Sequence, residues 1–386
     1  MKVIHCCLAA FYNDGYAYQE NILPKMHRQQ GHEVRIVAST EAFLDKMNLG
    51  YTVPGKYINE DGVQVVRLPY VGFLPLKVAA KLRIYKGLAE QLNEFQPDVI
   101  FLHDAQFLSI GEVVRYIKKH PNVRVYADSH TDFGNSARSF VSRYILHGVI
   151  YRYCVRRIMG YVRCFYPTLP TRTAFLEEMY KVPSEKISLL VMGADDAQVE
   201  RVKSQGVRNE IRSRYGVKDS DLLFMTGGKF DERKKDVLLL MEAVRQLPES
   251  LNVKLMVFGS VMEGQFKKAF DSLVDGSRVM YVGWVSGEMT YDYIEASDVM
   301  VFPGSHSVLW EQAVGQGKIC VFNDYMNLRH LDVGGNCLFI DGASMDDIRS
   351  ALDRVIGSRE EMQNVAESKG VDYFSYYKIA ERSIAE

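Results

Sequence analysis

The chain has 386 residues, 47% of them hydrophobic and 25% charged, with a formal net charge of −1. That length is too great for one ordinary domain and predicts two, and the composition excludes a disordered or fibrous protein. No run of about 18 apolar residues occurs, so no membrane span is expected. The six cysteines are scattered without a Cys-x-x-Cys pair, which argues against a disulfide framework or a zinc site and fits a reducing cytosol. The apolar stretch in Met1–Ala10 is too short for a signal peptide. The expected location is therefore cytoplasmic. The charge is uneven: residues 1–190 carry 24 Lys and Arg against 17 Asp and Glu, and the remainder 23 against 31. A first half near +7 and a second near −8 point to an anionic surface or substrate on the first.

In chain order, Val3–Ala10 reads as a strand, Phe11–Gly15 as a loop, Tyr18–Gln30 as a helix ended by Gly31, and His32–Ala38 as a second strand. This βαβ start predicts a parallel sheet. Gly15 sits in the first strand-to-helix loop, where a phosphate often docks, although the full dinucleotide glycine fingerprint is absent. Asp61–Leu68 alternates like a strand, and Leu76–Phe95 reads as one helix carrying Lys77, Lys81, Arg83 and Lys86. Pro97–His103 and Val123–Ala127 are further strands. His103-Asp104 and Asp128-Ser-His-Thr-Asp132 follow their carboxyl ends, where ligands bind in parallel sheets. That places His130 and Asp132 where chemistry is expected, with a capping or packing role as the plainer reading of His130. Ser139–Cys164 is helical in pattern and rich in Arg and Tyr. It fits a membrane surface, but Cys154, Val155 and Met159 interrupt a clean apolar face, which favours a packed helix. Gly193–Ala197 reads as the linker.

The second half repeats the alternation. Strands are expected at Leu222–Thr226, Val253–Phe258, Arg278–Val282, Asp298–Phe302, Ile319–Phe322 and Cys337–Ile340, with helices at Asp236–Leu247, Glu288–Ala296, Val308–Val314, Met345–Ile356 and Arg359–Lys369. The fold class is α/β, two doubly wound halves with a cleft between them. Two strand-end loops suit anions. Gly227–Lys235 carries Lys229, Arg233, Lys234 and Lys235, which can grip a diphosphate through charge-assisted bonds. Phe302–Gly317 runs from a strand into a helix N-terminus with free N–H groups, capped by Ser305 or Ser307, with Glu311 one turn inside. Each alone also fits a solvated basic turn or an ordinary strand–helix junction; both on one sheet edge say more.

The order and spacing of several segments resemble the retaining, GT-B fold glycosyltransferases of the glycosyltransferase-4 group, over nearly the whole chain. They are Gly15-Tyr-Ala-Tyr-Gln-Glu-Asn21, Gly31-His-Glu-Val34, Pro97-Asp-Val-Ile100 before His103, Asp128-Ser-His-Thr-Asp132, Gly228-Lys-Phe-Asp-Glu-Arg-Lys234, Phe258-Gly-Ser260, Gly283-Trp284, and Ser307-Val-Leu-Trp-Glu-Gln-Ala313 with Gly317. Asn336 near Leu338-Phe339 resembles the family's late Gly-Asn loop.

The resemblance implies a GT-B fold with an acceptor-side domain at 1–193, a donor domain at 194–370, and a last helix at 371–386 that crosses back onto the first. It implies Lys229 in place of the family's usual Arg, Lys234 as the phosphate-gripping lysine and Lys235 as the alternative. It makes Glu311 the second of two paired glutamates, the one on the donor ribose. Ser307, Val308 and Leu309 would offer hydroxyl and N–H groups to the phosphates, Gly283 and Trp284 would border the base, and His130 would reach the transferred sugar. One departure is clear: the first glutamate would fall at Pro303, with His306 and Ser307 near the gap.

The expected activity is transfer of a sugar, with retention, from a UDP- or GDP-type nucleotide sugar to a glycan or lipid-linked acceptor in bacterial surface polysaccharide assembly. Lys229, Lys234 and the helix N-terminus would stabilise the leaving diphosphate without a metal, and no cofactor is implied. The expected partners are the donor, the acceptor and an anionic membrane surface at the inner face of the cell membrane, not nucleic acid. Two other readings stand beside it: a GT-B fold nucleotide-sugar epimerase, which the few carboxylates near His130 in the sequence count against, and a non-catalytic nucleotide-sugar-binding subunit.

Overall fold

The computed structural model describes every residue except 45–47, 233, 234, 325–327, 341, 343 and 386. It divides into two units, Met1–Val191 with Ile379–Glu386, and Met192–Lys378. The division falls two residues before the expected 193/194 boundary. The terminal part joined to the first unit begins at Ile379 rather than at residue 371.

The strands of the first unit are β1 (Lys2–Cys7), β2 (Glu33–Ser39), β3 (Glu41–Phe43), β4 (Leu49–Tyr51), β5 (Gly55–Ile58), β6 (Gln64–Leu68), β7 (Val99–His103), β8 (Arg124–Ser129) and β9 (Val162–Pro167). Seven form one sheet in the order β5-β6-β2-β1-β7-β8-β9, and β3 and β4 pair separately. Only β5 runs antiparallel to its neighbour in that sheet. The central strands are continuous apolar runs, Val3-Ile4 and Val99–Leu102 among them, all fully buried. A sheet covered on both faces requires this. Strand order reverses at β1, so the crevice between β1 and β7, outside their carboxyl ends, is the place for a ligand.

The second unit has β10 (Leu222–Phe230), β11 (Val253–Val261), β12 (Val279–Gly283), β13 (Val299–Phe302), β14 (Ile319–Asn323) and β15 (Cys337–Ile340). They form an all-parallel sheet in the order β12-β11-β10-β13-β14-β15. Here the order reverses between β10 and β13, the two strands whose following loops look suited to anions. Each unit is a Rossmann-like, doubly wound α/β domain.

Three expectations change in detail. The helix expected over Leu76–Phe95 is two, Leu76–Leu82 and Leu88–Phe95. They are separated by Arg83 and Gly87, both at positive φ, a backbone that cannot continue a helix. The run Ser139–Cys164 is a wide-turned π-helix Val141–Tyr151 continuing into a helix Arg152–Ile158, after which the chain turns into β9. The first strand ends at Cys7, not Ala10.

The terminal helix Tyr376–Ser383 and the residues after it are tied to the first unit through backbone carbonyls. Arg382 accepts from the Tyr166 hydroxyl at 3.2 Å and Ala385 from the Tyr126 hydroxyl at 2.5 Å.

Candidate active site

In the second unit, glycines let the sheet edge stay closed where a ligand loop begins. β10 and β11 remain paired through Gly228↔Gly259 and Lys229↔Ser260. A Cβ on Gly259, which has φ +120°, would lie 1.8 Å from the Gly228 carbonyl oxygen, and one on Gly227 would lie 2.2 Å from the Phe258 ring. Only glycine fits these positions. The close pairing carries Lys229 to the exposed end of β10. Lys234, with Arg233, lies outside the described residues. Lys235 is exposed and stands immediately before the helix Asp236–Gln246. On the neighbouring strand, β13 ends at Phe302. There Pro303, Gly304, Ser305 and Ser307 share a small pocket with Gly227 and Phe230 from β10. The two loops read as anion-suited therefore meet at one sheet edge.

Val308, which is exposed, takes the N-cap position of the helix Leu309–Gly315 with no side-chain cap, and Ser307 Oγ accepts from the Leu309 N–H at 3.2 Å in the turn that leads into it. Glu311 is fully buried, and its two oxygens accept from His306 Nε2 at 2.8 and 3.0 Å. An aromatic stack supports the pair. Trp310 lies on Phe322 at 4.5 Å and edge-on to His306 at 5.4 Å. The Pro303 carbonyl accepts from Asn323 Nδ2 at 2.9 Å, which pins the backbone where the family's first glutamate would fall. The position is therefore apolar, and histidines take the place of a second carboxylate beside Glu311: His306, which bonds to it, and the half-buried His330 nearby. Gly283 ends β12 at φ +90°, and Trp284 after it is 61% exposed.

In the first unit, the expected polar residues gather at the carboxyl ends of β7 and β8. His103 pairs in register with Asp128, and His103 Nδ1 lies 2.7 Å from Asp128 Oδ2. The other Asp128 oxygen accepts the Asp104 N–H at 3.0 Å. His130 Nε2 stands 3.4 Å from Asp128 Oδ2, and its side chain keeps 23% exposure, so the ring is anchored at one edge and open at another. Burial disfavours charge on His130, but the Asp128 carboxylate and Glu20 outweigh it and raise its pKa to about 9. Asp128 itself is held below the ordinary range by His103 and His130, against its burial. Asp104 sits at φ +59°, uncommon for a residue other than glycine, and burial lifts its pKa to about 6. Ligand atoms of Glu20, His103 and His130 lie within 4.8 Å of one another. His103 hydrogen-bonds through both nitrogens, to His5 and to Asp128.

Two expected contacts are engaged otherwise. The Gly15 N–H donates to Glu60 Oε1 at 2.6 Å, so it is not presented to a phosphate. Asp132 Oδ1 accepts from the Gly134 and Asn135 N–H groups at 2.8 and 2.7 Å, which closes a turn behind His130. The expected scarcity of carboxylates near His130 also fails, since Glu20, Asp104 and Asp128 surround it. Sequence reading missed Glu20 as a neighbour because it lies in the first helix and meets β8 only in three dimensions.

Beside this group is a cavity of about 270 Å³ lined by Leu8, Glu41, Tyr51, Lys77, Lys81 and Arg83 among others. Arg83 Nη1 donates to the Gln106 carbonyl at 2.8 Å, and the Tyr85 hydroxyl to the Leu8 carbonyl at 2.7 Å, so its walls are fixed by bonds to strand-end backbone.

The family model for the glycosyl transferase 4-like domain matches residues 18–193, and that for glycosyl transferases group 1 matches residues 219–357. The chain belongs to the glycosyltransferase-4 type of GT-B glycosyltransferases. Solved structures agree on the fold. Anabaena Alr3699/HepE in complex with UDP is 12% identical, with a TM-score of 0.68 over 99% of this chain and 98% of that one. WaaG, a glycosyltransferase involved in lipopolysaccharide biosynthesis, is 15% identical with a TM-score of 0.60 over 100% of both chains. UDP-GlcNAc 2-epimerase from Neisseria meningitidis, bound to UDP-GlcNAc, is 12% identical with a TM-score of 0.63 over 99% of this chain and 98% of that one. No curated protein sequence matches the chain.

Proposed function

We propose that the chain is a retaining, metal-independent glycosyltransferase. It moves a sugar from a UDP- or GDP-type nucleotide sugar to a glycan or lipid-linked acceptor in bacterial surface polysaccharide assembly. The observation that carries the donor half is the meeting of the β10 and β13 loops at one sheet edge, with Lys229 exposed above and Glu311 held by His306 below. A diphosphate placed there meets a lysine ammonium and a short helix start. The Glu311 carboxylate has lone pairs left for ribose hydroxyls. The leaving diphosphate gains charge as the anomeric carbon becomes cationic, and fixed cations stabilise that charge more than they stabilise the bound donor. Lys234 is assigned the same role. His130 is assigned to the sugar as a donor from its open edge, and the lysine-bordered cavity in the first unit to the acceptor. UDP bound to HepE and the lipopolysaccharide setting of WaaG support the donor and the pathway class.

The segment Phe140–Tyr153 supports the reading of a membrane-bound acceptor. Phe140, Val141, Tyr144, Ile145, Val149 and Tyr153 are exposed along it, whereas Leu146, Tyr151, Cys154, Val155 and Ile158 point into the core. Of the residues that blurred the apolar face in sequence, Cys154 and Val155 are buried and Met159 is half-buried against the core, and a separate outer face remains. Arg152, Arg156 and Arg157 line a surface hollow with Val149 and Tyr153, and no Asp or Glu occurs from residue 133 to 176. Aromatic and aliphatic groups interleaved with arginine match an anionic bilayer interface, and among the described residues no helix is long and apolar enough to cross a membrane.

A second reading, nucleotide-sugar epimerase, has an observation in its favour: the carboxyl groups of Glu20 and Asp104 lie beside His130, whereas Asp128 is committed to His103 and the Asp104 N–H. Incubation with UDP- and GDP-sugars separates the readings: a new glycoside supports transfer, an altered nucleotide sugar supports epimerisation, and binding without turnover supports a non-catalytic subunit.

A further inference from the structure

Behind His130 runs a line of buried groups that the transfer reaction does not itself require. His27 Nε2 lies 3.0 Å from the Ala380 carbonyl oxygen and 3.1 Å from Ser383 Oγ, on the terminal helix. His27 Nδ1 is 3.0 Å from His5 Nε2, His5 Nδ1 is 3.0 Å from His103 Nε2, and His103 Nδ1 is 2.7 Å from Asp128 Oδ2. His5, His27 and His103 are all 0% exposed. The β1–β7 pairing places His5 and His103 on adjacent strands, with rings stacked at 5.2 Å.

Hydrogen counting decides the protonation of this line. The Ala380 carbonyl can only accept, and the Ser383 hydroxyl already donates to that carbonyl at 2.8 Å, so His27 Nε2 must carry a hydrogen. Four contacts join the carbonyl, three imidazoles and the Asp128 carboxyl, and each contact needs one hydrogen. Three neutral imidazoles supply three. The fourth is an excess proton, on a ring or on Asp128. Asp128 accepts the Asp104 N–H on one oxygen and faces His103 and His130 with the other, an environment for a carboxylate and not an acid. His5 and His27 resist charge through burial, His27 down to a pKa of about 3. The proton therefore rests on His103, the ring in contact with the carboxylate.

We propose that His27, His5 and His103 are positioning residues that store one excess proton at His103, fix Asp128 as a carboxylate, and so set the pH range over which His130 is a cationic hydrogen-bond donor toward the sugar. The last clause rests on the reading of His130 as the sugar-facing histidine. The line ends on the terminal helix, so that helix helps set the state of the site through backbone. The other charged groups facing His130 are Glu20, Asp104 and Arg172, and His32 faces His27. They set the local field but cannot replace the missing acceptor if the line is cut.

The test is long-range ¹H–¹⁵N NMR of the unmodified full chain, with histidines assigned by single substitutions. At pH 7 His103 is expected to be protonated on both nitrogens, with His5 and His27 protonated on Nε2 alone. A neutral His103 overturns the proposal. In His5→Phe, which keeps the ring volume but removes the acceptor of His103 Nε2–H, His103 should be left singly protonated and the His130 titration should rise by about one pH unit, because Asp128 then faces His130 without a cationic His103 beside it. Turnover at pH 9.5 relative to pH 6.5 should rise about threefold against the unmodified enzyme, with nucleotide affinity unchanged. An unmoved His130 titration also overturns it. Should His5→Phe not fold, Ser383→Ala and His27→Phe carry the same NMR comparison from the far end. If the unmodified protein shows the doubly protonated His103 and the shifted His130 titration but transfers no sugar, the glycosyl-transfer reading fails and the proton-storing line stands.

Discussion

Glu311→Gln tests the donor site with the least steric disturbance. The side chain is fully buried, and both carboxylate oxygens accept from His306 at 2.8 and 3.0 Å. The substitution keeps the volume and removes the charge. A carboxylate receiving ribose hydroxyls makes charge-assisted bonds of about 1.5–3 kcal/mol each, against about 0.5–1.5 kcal/mol for a neutral amide oxygen. For two hydroxyls the difference is roughly 2–3 kcal/mol, or about 30- to 100-fold in affinity at about 1.4 kcal/mol per decade. The His306 contact is weakened too, which lowers the stability of the unliganded protein and must be measured separately. Calorimetric titration with UDP and GDP gives the first quantity, and the melting temperature without nucleotide gives the second. A variant that melts earlier but binds nucleotide within twofold of the unmodified protein would show that Glu311 serves only to hold His306, and would refute the assignment to ribose.

Lys229→Ala and Lys234→Ala should each lower turnover about 100-fold with little change in folding, through lost stabilisation of the leaving diphosphate; steady-state kinetics decide, and unchanged turnover at Lys234 would move that role to Lys235. Replacing Arg152, Arg156 and Arg157 together with Gln should abolish low-salt cosedimentation with anionic vesicles while nucleotide affinity holds. The unmodified protein should itself release at about 1 M salt, where screening shortens to about 3 Å; indifference to anionic vesicles at low salt would sink the membrane assignment. Stability should peak near pH 6.5. His130, raised to about 9, contributes fully below 6.5 and loses that contribution as pH rises through 9, whereas His27 and His147, lowered by burial to about 3 and about 4, lose theirs as pH falls from 6.5 toward those values. Asp104, raised to about 6, opposes the acid-side loss as one group against these and His5. Melting temperatures from pH 4 to 9.5 that stay flat above 6.5 would contradict the His130 assignment. Gly259→Ala should lower the melting temperature by at least ~5 °C, since strain at its φ of +120° alone is worth about 1–3 kcal/mol and the new Cβ meets the Gly228 carbonyl; Gly160→Ala, with open space around it, is the control and should melt like the unmodified protein.

What could be read from sequence was what is local. The alternation of apolar runs with helical patterns located most strands of both sheets, and strand-end placement pointed to Lys229, His130 and Glu311. Several of the misses depend on contacts far apart in the chain. Nothing near Gly15 signals that Glu60, 45 residues later, takes its N–H. His5 and His27 look like ordinary core positions, and only the β1–β7 pairing, which brings His5 beside His103 across 98 residues, shows otherwise. β9 was hidden because Val162–Pro167 continues the apolar and arginine-rich composition of the preceding helix. The break at Arg83 rests on a left-handed backbone in a residue that has no intrinsic preference for one. His306 was legible at the gap, and its contact follows from spacing: five residues before Glu311, across a helix start, it is within reach of the carboxylate.

The most direct measurement is the anomeric configuration of the product. The protein is incubated with a nucleotide sugar that stabilises it against melting and with a lipid-linked glycan acceptor, and the new glycosidic bond is read by NMR. The account predicts a glycoside with the anomeric configuration of the donor, formed in the presence of a metal chelator. An inverted glycoside, a nucleotide sugar epimerised without transfer, or turnover abolished by the chelator would contradict it.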